Sequence, residues 1–410
     1  MKILVISNLY PPHEIGGYEI RCRDVGERLR TFGHQVRVLT SNHQVPGRAS
    51  TDEPTVSRKL KLHGMYGHPW LPIQQLYAQE KHNHQTLLQE IASFTPELIH
   101  VWNMGGISKS LLLQLEKSGI PLVYDVSDHW IAGSLAADVW LSWWNAHGSI
   151  WRTLGRKILT FLGVRRLLDR SAPTASWSTL RFERCYFCSA FMRDLTVQRG
   201  WPVAHAGVIH CGIDTSGFAH KPEHTGFAKL LWVGRLAEDK DPLTALRALA
   251  AAHRAGLTHL TLDLYGHGEP SYTARIDAEI LSLGLTGFAR RKQATAVQMR
   301  RLYAEYDALL FTSNWGEPFA LTPLEAMASG LPVITSLDGG QVELARHGHN
   351  CLVAAAADPA LYATRIAELA SDPQLRATLA ANGLDEVRSR FDIDPITRQI
   401  EAFLLTSLTP

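Results

Sequence analysis

Short apolar runs without polar alternation, each followed by a turn and then by helical periodicity, limit this 410-residue chain more than any other feature. Residues 3–6 (ILVI), 230–233 (LLWV) and 308–312 (ALLFT) are such runs, the last apolar until its final residue. A strand with one wet face alternates, whereas a strand covered on both faces does not. Residues 35–40, 97–102, 121–125 and 260–266 read as further strands, with helical patterns between them. After the first run, Cys22, Val25, Leu29 and Phe32 recur at spacings of three and four, and Gly33 ends the stripe. Such alternation predicts an α/β architecture of doubly wound parallel sheets, right-handed crossovers, and ligands at the carboxyl ends of the strands. The length predicts two or three domains, and 45% hydrophobic content is enough to fill their cores.

The densest stretch is 315–336, WGEPFALTPLEAMASGLPVITS. Trp315, Gly316 and Pro318 end one strand, and the next begins at 331. Thr322-Pro323 predicts a helix start, because threonine caps an orphan amide and a proline at the first helical position has no amide to leave unpaired. Gly330 then closes the helix. Such a start aims free amides, here those of Phe319, Ala320, Leu321 and Thr322, and the positive end of a dipole at one point, which suits a diphosphate. Thr322-x-x-Glu325 equally reads as a capping box, in which Glu325 only returns a hydrogen bond to the cap. Upstream, Gly234-Arg235 follows the strand at 230–233, and Lys240 comes five residues later. A guanidinium fork and an ammonium there can hold a diphosphate from two sides; solvated loop charges are the alternative.

Glu317 and Glu325, separated by seven residues and followed by Ala-Met-Ala-Ser-Gly-Leu-Pro-Val-Ile and Gly339-Gly340, resemble the signature of the retaining nucleotide-sugar glycosyltransferases of family 4. The similarity extends to Gly-Ile-Asp at 212–214, where the family crosses between domains, to Arg235 and Lys240, and to Gly266-His-Gly268 at the nucleotide edge. It implies a GT-B fold, two doubly wound Rossmann-like domains facing a cleft. Domain bounds are expected at 1–212, 213–390 and 391–410, the tail returning to the first domain as a helix. It also implies that Glu317 contacts the donor sugar and Glu325 the ribose, and that Arg235 and Lys240 neutralise the leaving diphosphate where other transferases use a metal ion. Ala320 departs from the family, which usually has glycine there. At 288–293, FARRKQ places Arg290, Arg291 and Lys292 where a glycine is usual, facing either the nucleotide or solvent.

In the first half, Gly16 and Gly17 stand between the first strand and its helix, where bare backbone can approach a phosphate. A Gly-Gly pair alone is most often only a turn. The stretch 10–17, YPPHEIGG, resembles the opening loop of the family, near donor phosphates and acceptor. At 125–130, DVSDHW brings carboxylates and an imidazole to a strand end. The family often has His-Asp here with the histidine near the reacting sugar; this chain has Ser127-Asp128 with His129 one place on, so Asp128 and His129 are candidates for that contact, and a structural role for Asp128 stands beside it. From 140 to 170, Trp140, Trp143, Trp144 and Trp151 interleave with Arg152, Arg156, Lys157, Arg165, Arg166 and Arg170. Trp151, Leu154, Ile158 and Leu162 recur at helical spacing, so the segment either lies on an anionic membrane or lipid-linked acceptor, or packs its stripe on the domain with solvated arginines; the packed alternative is favoured.

Charge is uneven: residues 1–212 hold 23 Lys+Arg against 16 Asp+Glu, and 213–410 hold 18 against 23. The first half is therefore expected to face an anionic partner; no nucleic-acid partner is expected. No apolar run approaches the length of a membrane span and 1–10 reads as a strand without signal-peptide flanks, so the expected location is cytoplasmic, with peripheral contact on the inner face of the membrane through 140–170 as the open alternative. Cys185 and Cys188 lack further ligands at zinc spacing, and His82 and His84 point apart on a helix, so neither metal nor cofactor is expected. The expected partners are a nucleotide-sugar donor and a glycan, lipid-linked or small-molecule acceptor. Two rivals are a two-domain nucleotide-sugar epimerase and a non-catalytic sugar-nucleotide or membrane-binding protein.

Overall fold

The computed structural model describes residues 1–49, 53–64, 71–133, 138–146, 148 and 150–408. It divides into two compact units, one formed by Met1–Ile209 with Thr397–Pro410, the other by His210–Ile396.

Among the described residues the first unit has a seven-stranded sheet of β1 (Lys2–Ile6), β2 (Gln35–Ser41), β3 (Val56–Leu60), β4 (Leu98–Val101), β5 (Leu122–Val126), β6 (Cys185–Phe187) and β7 (Gly207–Val208). The order is β3-β2-β1-β4-β5-β6-β7, and every pairing is parallel. The chain steps outward from β1 to β3, then returns to the other side of β1 with β4. Ile3, Leu4, Val5 and Ile6 are all buried, as an unalternating central strand requires. β3, VSRKL, and the two-residue β7 carry no apolar period, which is why the sequence pattern does not reveal them.

The second unit repeats the plan with β8 (Lys229–Val233), β9 (Thr261–Tyr265), β10 (Ala289–Lys292), β11 (Ala308–Phe311), β12 (Val333–Thr335) and β13 (Leu352–Val353), in the order β10-β9-β8-β11-β12-β13, all parallel. Leu230, Trp232, Leu262, Leu264, Leu310 and Ile334 form the centre of its core. The helix Ile393–Thr406 starts in this unit, and from Thr397 its residues belong to the first. There Glu401 pairs with His34 at 2.7 Å and Phe403 meets Tyr186 edge-on at 5.3 Å.

The stretch from 140 to 170, of which 147 and 149 lie outside the described residues, forms helices Val139–Asn145, Ile150–Phe161 and Val164–Asp169. Trp140 and Trp144 are buried, the indole of Trp140 donating to the Pro173 carbonyl at 2.8 Å. The expected packing of the Trp151, Leu154, Ile158, Leu162 stripe does not occur. Trp151 is 80% exposed, Leu162 65%, and the helix Ile150–Phe161 buries no residue. Two of the arginines expected in solvent, Arg156 and Arg165, do the holding instead. Arg156 donates to the Trp144 and Ala146 carbonyls at 3.2 and 2.6 Å, at the negative end of the preceding helix. Arg165 donates to Thr174 and Asn145 and lies over the Trp144 ring. Among the described residues no helix is long and apolar enough to cross a membrane, and all five cysteines are free and buried.

Candidate active site

In the second unit the winding reverses between β8 and β11, so the loops leaving their carboxyl ends run to opposite sides and leave an opening above the sheet edge. The β8 loop forms a short 3-10 turn, Glu238–Lys240, tied to the β11 loop by side chains the sequence does not single out. The Asp239 carbonyl accepts from the Asn314 amide at 3.1 Å and the Ser313 hydroxyl at 3.0 Å. Thr312 donates to the Asp241 carbonyl at 2.7 Å and accepts from the Trp232 indole at 2.9 Å. Asp241, with φ +48°, caps the helix Pro242–Arg254 by accepting from Thr244. Asp-Pro-x-Thr was a readable cap signal for that residue.

This mesh brings Lys240 and Glu317 together. The Lys240 ammonium pairs with Glu317 Oε1, which also accepts from the Ser313 hydroxyl at 2.6 Å, and it lies 4.8 Å from the centroid of the Trp315 ring. Glu317 is only 5% exposed, so its charge depends on these partners. An ammonium has three N–H donors, which leaves Lys240 capacity toward an incoming anion. The glycine pair of the motif explains how Glu317 is held. Gly339 has φ +111°, and a Cβ there would stand 2.2 Å from the Glu317 carbonyl oxygen. The Glu317 amide donates to the Asp338 carbonyl at 3.1 Å, and the Gly340 amide to the Glu317 carbonyl at 2.7 Å.

The helix after Glu317 spans Leu321–Ala328 with Ala320 as its N-cap, so Thr322 is its second residue and not the cap. Thr322 makes no cap hydrogen bond, and the capping-box alternative for Glu325 falls with it. Glu325 instead accepts from the Tyr303 hydroxyl at 2.7 Å, while burial pushes its carboxyl above the ordinary range against the pull of that bond and of Arg300. The amides of Phe319, Ala320, Leu321 and Thr322 have no acceptor among the described residues, which leaves a turn of donors open. Phe319 is buried against His210 and Phe391, at ring distances of 5.2 and 5.5 Å.

Arg235 reaches Asp239 at 2.7 Å but is 46% exposed, a pairing weak enough for another anion to displace. Gly266 serves the backbone of its own unit, since a Cβ there would overlap the Gly234 carbonyl oxygen at 1.8 Å. Of the basic run in β10, Arg291 pairs with Asp277 and Lys292 with Asp263, both at 2.6 to 2.7 Å.

In the first unit Gly16 caps the helix Gly17–Thr31, and its amide donates to the Glu19 carboxylate at 2.8 Å. That amide is therefore engaged, and the site expected for a phosphate at Gly16 and Gly17 already faces a buried carboxylate. Asp128 and His129 follow β5 at the sheet edge, the His129 amide donating to Asp128 Oδ1 at 2.6 Å. The neighbouring Asp125 is buried in an ion pair with Arg21 at 2.9 Å, with Ser127 donating to it at 2.6 Å. Arg21 in turn lies over Trp102 at 4.9 Å. Asp125 is thus a packing anchor that holds the loop carrying Asp128. Among the described residues no group of three His, Cys, Asp or Glu has metal-holding geometry.

Residues 217–385 match the model of the glycosyl transferases group 1, and residues 15–216 that of glycosyltransferase family 4. The glycogen synthase of Mycobacterium tuberculosis is 27% identical over 402 residues, covering 96% of this chain and 91% of that protein. Among solved structures, Anabaena Alr3699/HepE in complex with UDP-glucose superposes with a TM-score of 0.69 at 22% identity, covering 99% of this chain and all of that one. The sucrose-phosphate synthase of Thermosynechococcus elongatus gives 0.70 at 21% identity, covering 99% and 98%. With both units matched by adjoining models and the two-sheet architecture shared along the whole chain, this protein belongs to the family 4-type glycosyltransferases of GT-B fold.

Proposed function

We propose that the enzyme takes a nucleoside diphosphate sugar as donor and moves its sugar to an acceptor hydroxyl, with retention at the anomeric carbon and without a metal ion. The observation that carries this reading is the Lys240–Glu317 pair at the winding reversal, beside a helix start whose amides are open. Solved relatives of the same fold hold UDP-glucose, or UDP and glucose, which supports a donor of this class.

In this mechanism the diphosphate displaces Arg235 from Asp239 and draws Lys240 away from sole engagement with Glu317. The Ala320–Thr322 amides add hydrogen bonds from the positive end of the helix. Glu317 contacts the sugar hydroxyls and Glu325 the ribose. As the bond from the anomeric carbon to the phosphate oxygen breaks, negative charge grows on the departing phosphate, and fixed cations and amides stabilise that charge more than the ground state. The acceptor oxygen bonds on the face the phosphate leaves, and the phosphate oxygen takes its proton, so no separate base is needed. The acceptor is a hydroxyl of a glycan, a lipid-linked sugar or a small molecule.

A thermal-shift screen with UDP, GDP, ADP, TDP and their sugars, followed by NMR of the product's anomeric proton, tests the proposal. The expected result is stabilisation by one nucleotide class and an anomeric configuration equal to that of the donor. An inverted product, or turnover of the donor sugar without any acceptor to an isomer, would overturn it.

A further inference from the structure

We infer that the helix Ile150–Phe161 and the turn after it dock the first unit on an anionic phospholipid surface. This goes beyond the donor chemistry and does not depend on it.

The helix is mounted with its apolar side outward. At 100° per residue, Ile150, Trp151, Leu154, Ile158 and Phe161 fall within one arc, and Arg152, Thr153, Arg156 and Leu159 lie opposite. An ordinary amphipathic helix would turn the first group to the core. Here the polar side is the anchored one, because Arg156 donates to carbonyls of the preceding helix. Ile150 is 83% exposed and Phe161 91%, and Leu162 and Leu167 prolong the patch past the end of the helix. A contiguous exposed apolar face of this kind, about 18 Å long from its helix alone, needs a covering partner.

Charge selects which partner. Residues 150–170 contain six Lys+Arg and one acidic residue, Asp169, which is occupied with the Thr174 amide and hydroxyl at 2.6 and 3.1 Å. Lys157, Arg166 and Arg170 are exposed around the apolar patch. Aromatic and aliphatic side chains ringed by cations match acyl chains beneath anionic head groups. A second copy of this surface would set the same cations against each other.

The test is sedimentation of the full-length chain with vesicles of phosphatidylcholine alone and of phosphatidylcholine mixed with phosphatidylglycerol. Three exposed cations predict roughly 100-fold tighter binding to the anionic vesicles at low salt, falling as salt rises. Trp151→Ser and Phe161→Ser each remove an inserted side chain and should weaken binding by at least about tenfold. Both positions are on the surface, so the melting temperature and donor hydrolysis should be unchanged, which separates failure of docking from failure of the catalytic reading. No sedimentation with anionic vesicles, or sedimentation that persists in the double variant, would overturn the inference. So would a dimer in the absence of vesicles that the double variant converts to monomer.

Discussion

Replacing Lys240 by alanine tests the centre of the proposed site in two independent ways. It leaves the Glu317 carboxylate 5% exposed with Ser313 as its nearest donor. Breaking a fully buried ion pair costs about 3–5 kcal/mol. Lys240 is 21% exposed, so screening reduces this, and a loss of about 2 kcal/mol is expected. For a unit of this size that is a fall of roughly 4–8 °C in melting temperature. The catalytic loss has a different origin: one fixed cation less at the departing phosphate should slow transfer by about 100- to 1,000-fold. The double variant K240A/E317Q separates the two. A neutral amide no longer needs the cation, so most of the stability returns, whereas transfer stays low. The assays are thermal denaturation and release of nucleoside diphosphate from the donor. Unchanged stability in Lys240→Ala, or transfer restored in the double variant, would refute the reasoning.

Gly339→Ala should lose at least about 2 kcal/mol and most transfer, since the left-handed backbone and the overlap with the Glu317 carbonyl both oppose a Cβ; urea denaturation reads it. Glu325 has its carboxyl raised by burial from the ordinary 4.5. The folded state then holds a proton longer than the unfolded chain, so the contribution is complete below pH 4.5 and is lost as pH rises through the raised value. Glu325→Gln should flatten that slope in urea titrations, and Tyr303→Phe should steepen it by withdrawing a hydrogen bond that favours the charged form. Arg21→Ala should cost about 3–5 kcal/mol by stranding Asp125, while Asp128→Asn should leave the melting temperature nearly unchanged. Chelation of divalent ions with EDTA should leave transfer intact, and its loss would refute the assignment of charge neutralisation to Arg235 and Lys240.

The fold was written locally. Runs such as ILVI and LLWV cannot be half-exposed strands, and their alternation with helical stripes leaves few arrangements besides doubly wound sheets. That Arg235 and Glu317 follow the carboxyl ends of strands was legible as well, whereas the donor-binding roles of Arg235, Lys240 and Glu317 came from the family resemblance and not from local pattern. What only the tertiary structure decided are contacts between residues distant along the chain. Lys240 meets Glu317 across 77 positions, and Tyr303 takes the Glu325 carboxylate that local spacing had offered to a helix cap. Gly266 and Gly339 stand in motifs visible in the sequence, but the contacts that require glycine there, with the Gly234 and Glu317 carbonyls, come from other segments. The helix Ile150–Phe161 shows the limit most clearly: periodicity fixes that it has an apolar side, but only the anchoring of Arg156 and Arg165 fixes which way that side faces. Periodicity is a property of one segment, whereas orientation depends on the partners that the rest of the chain supplies.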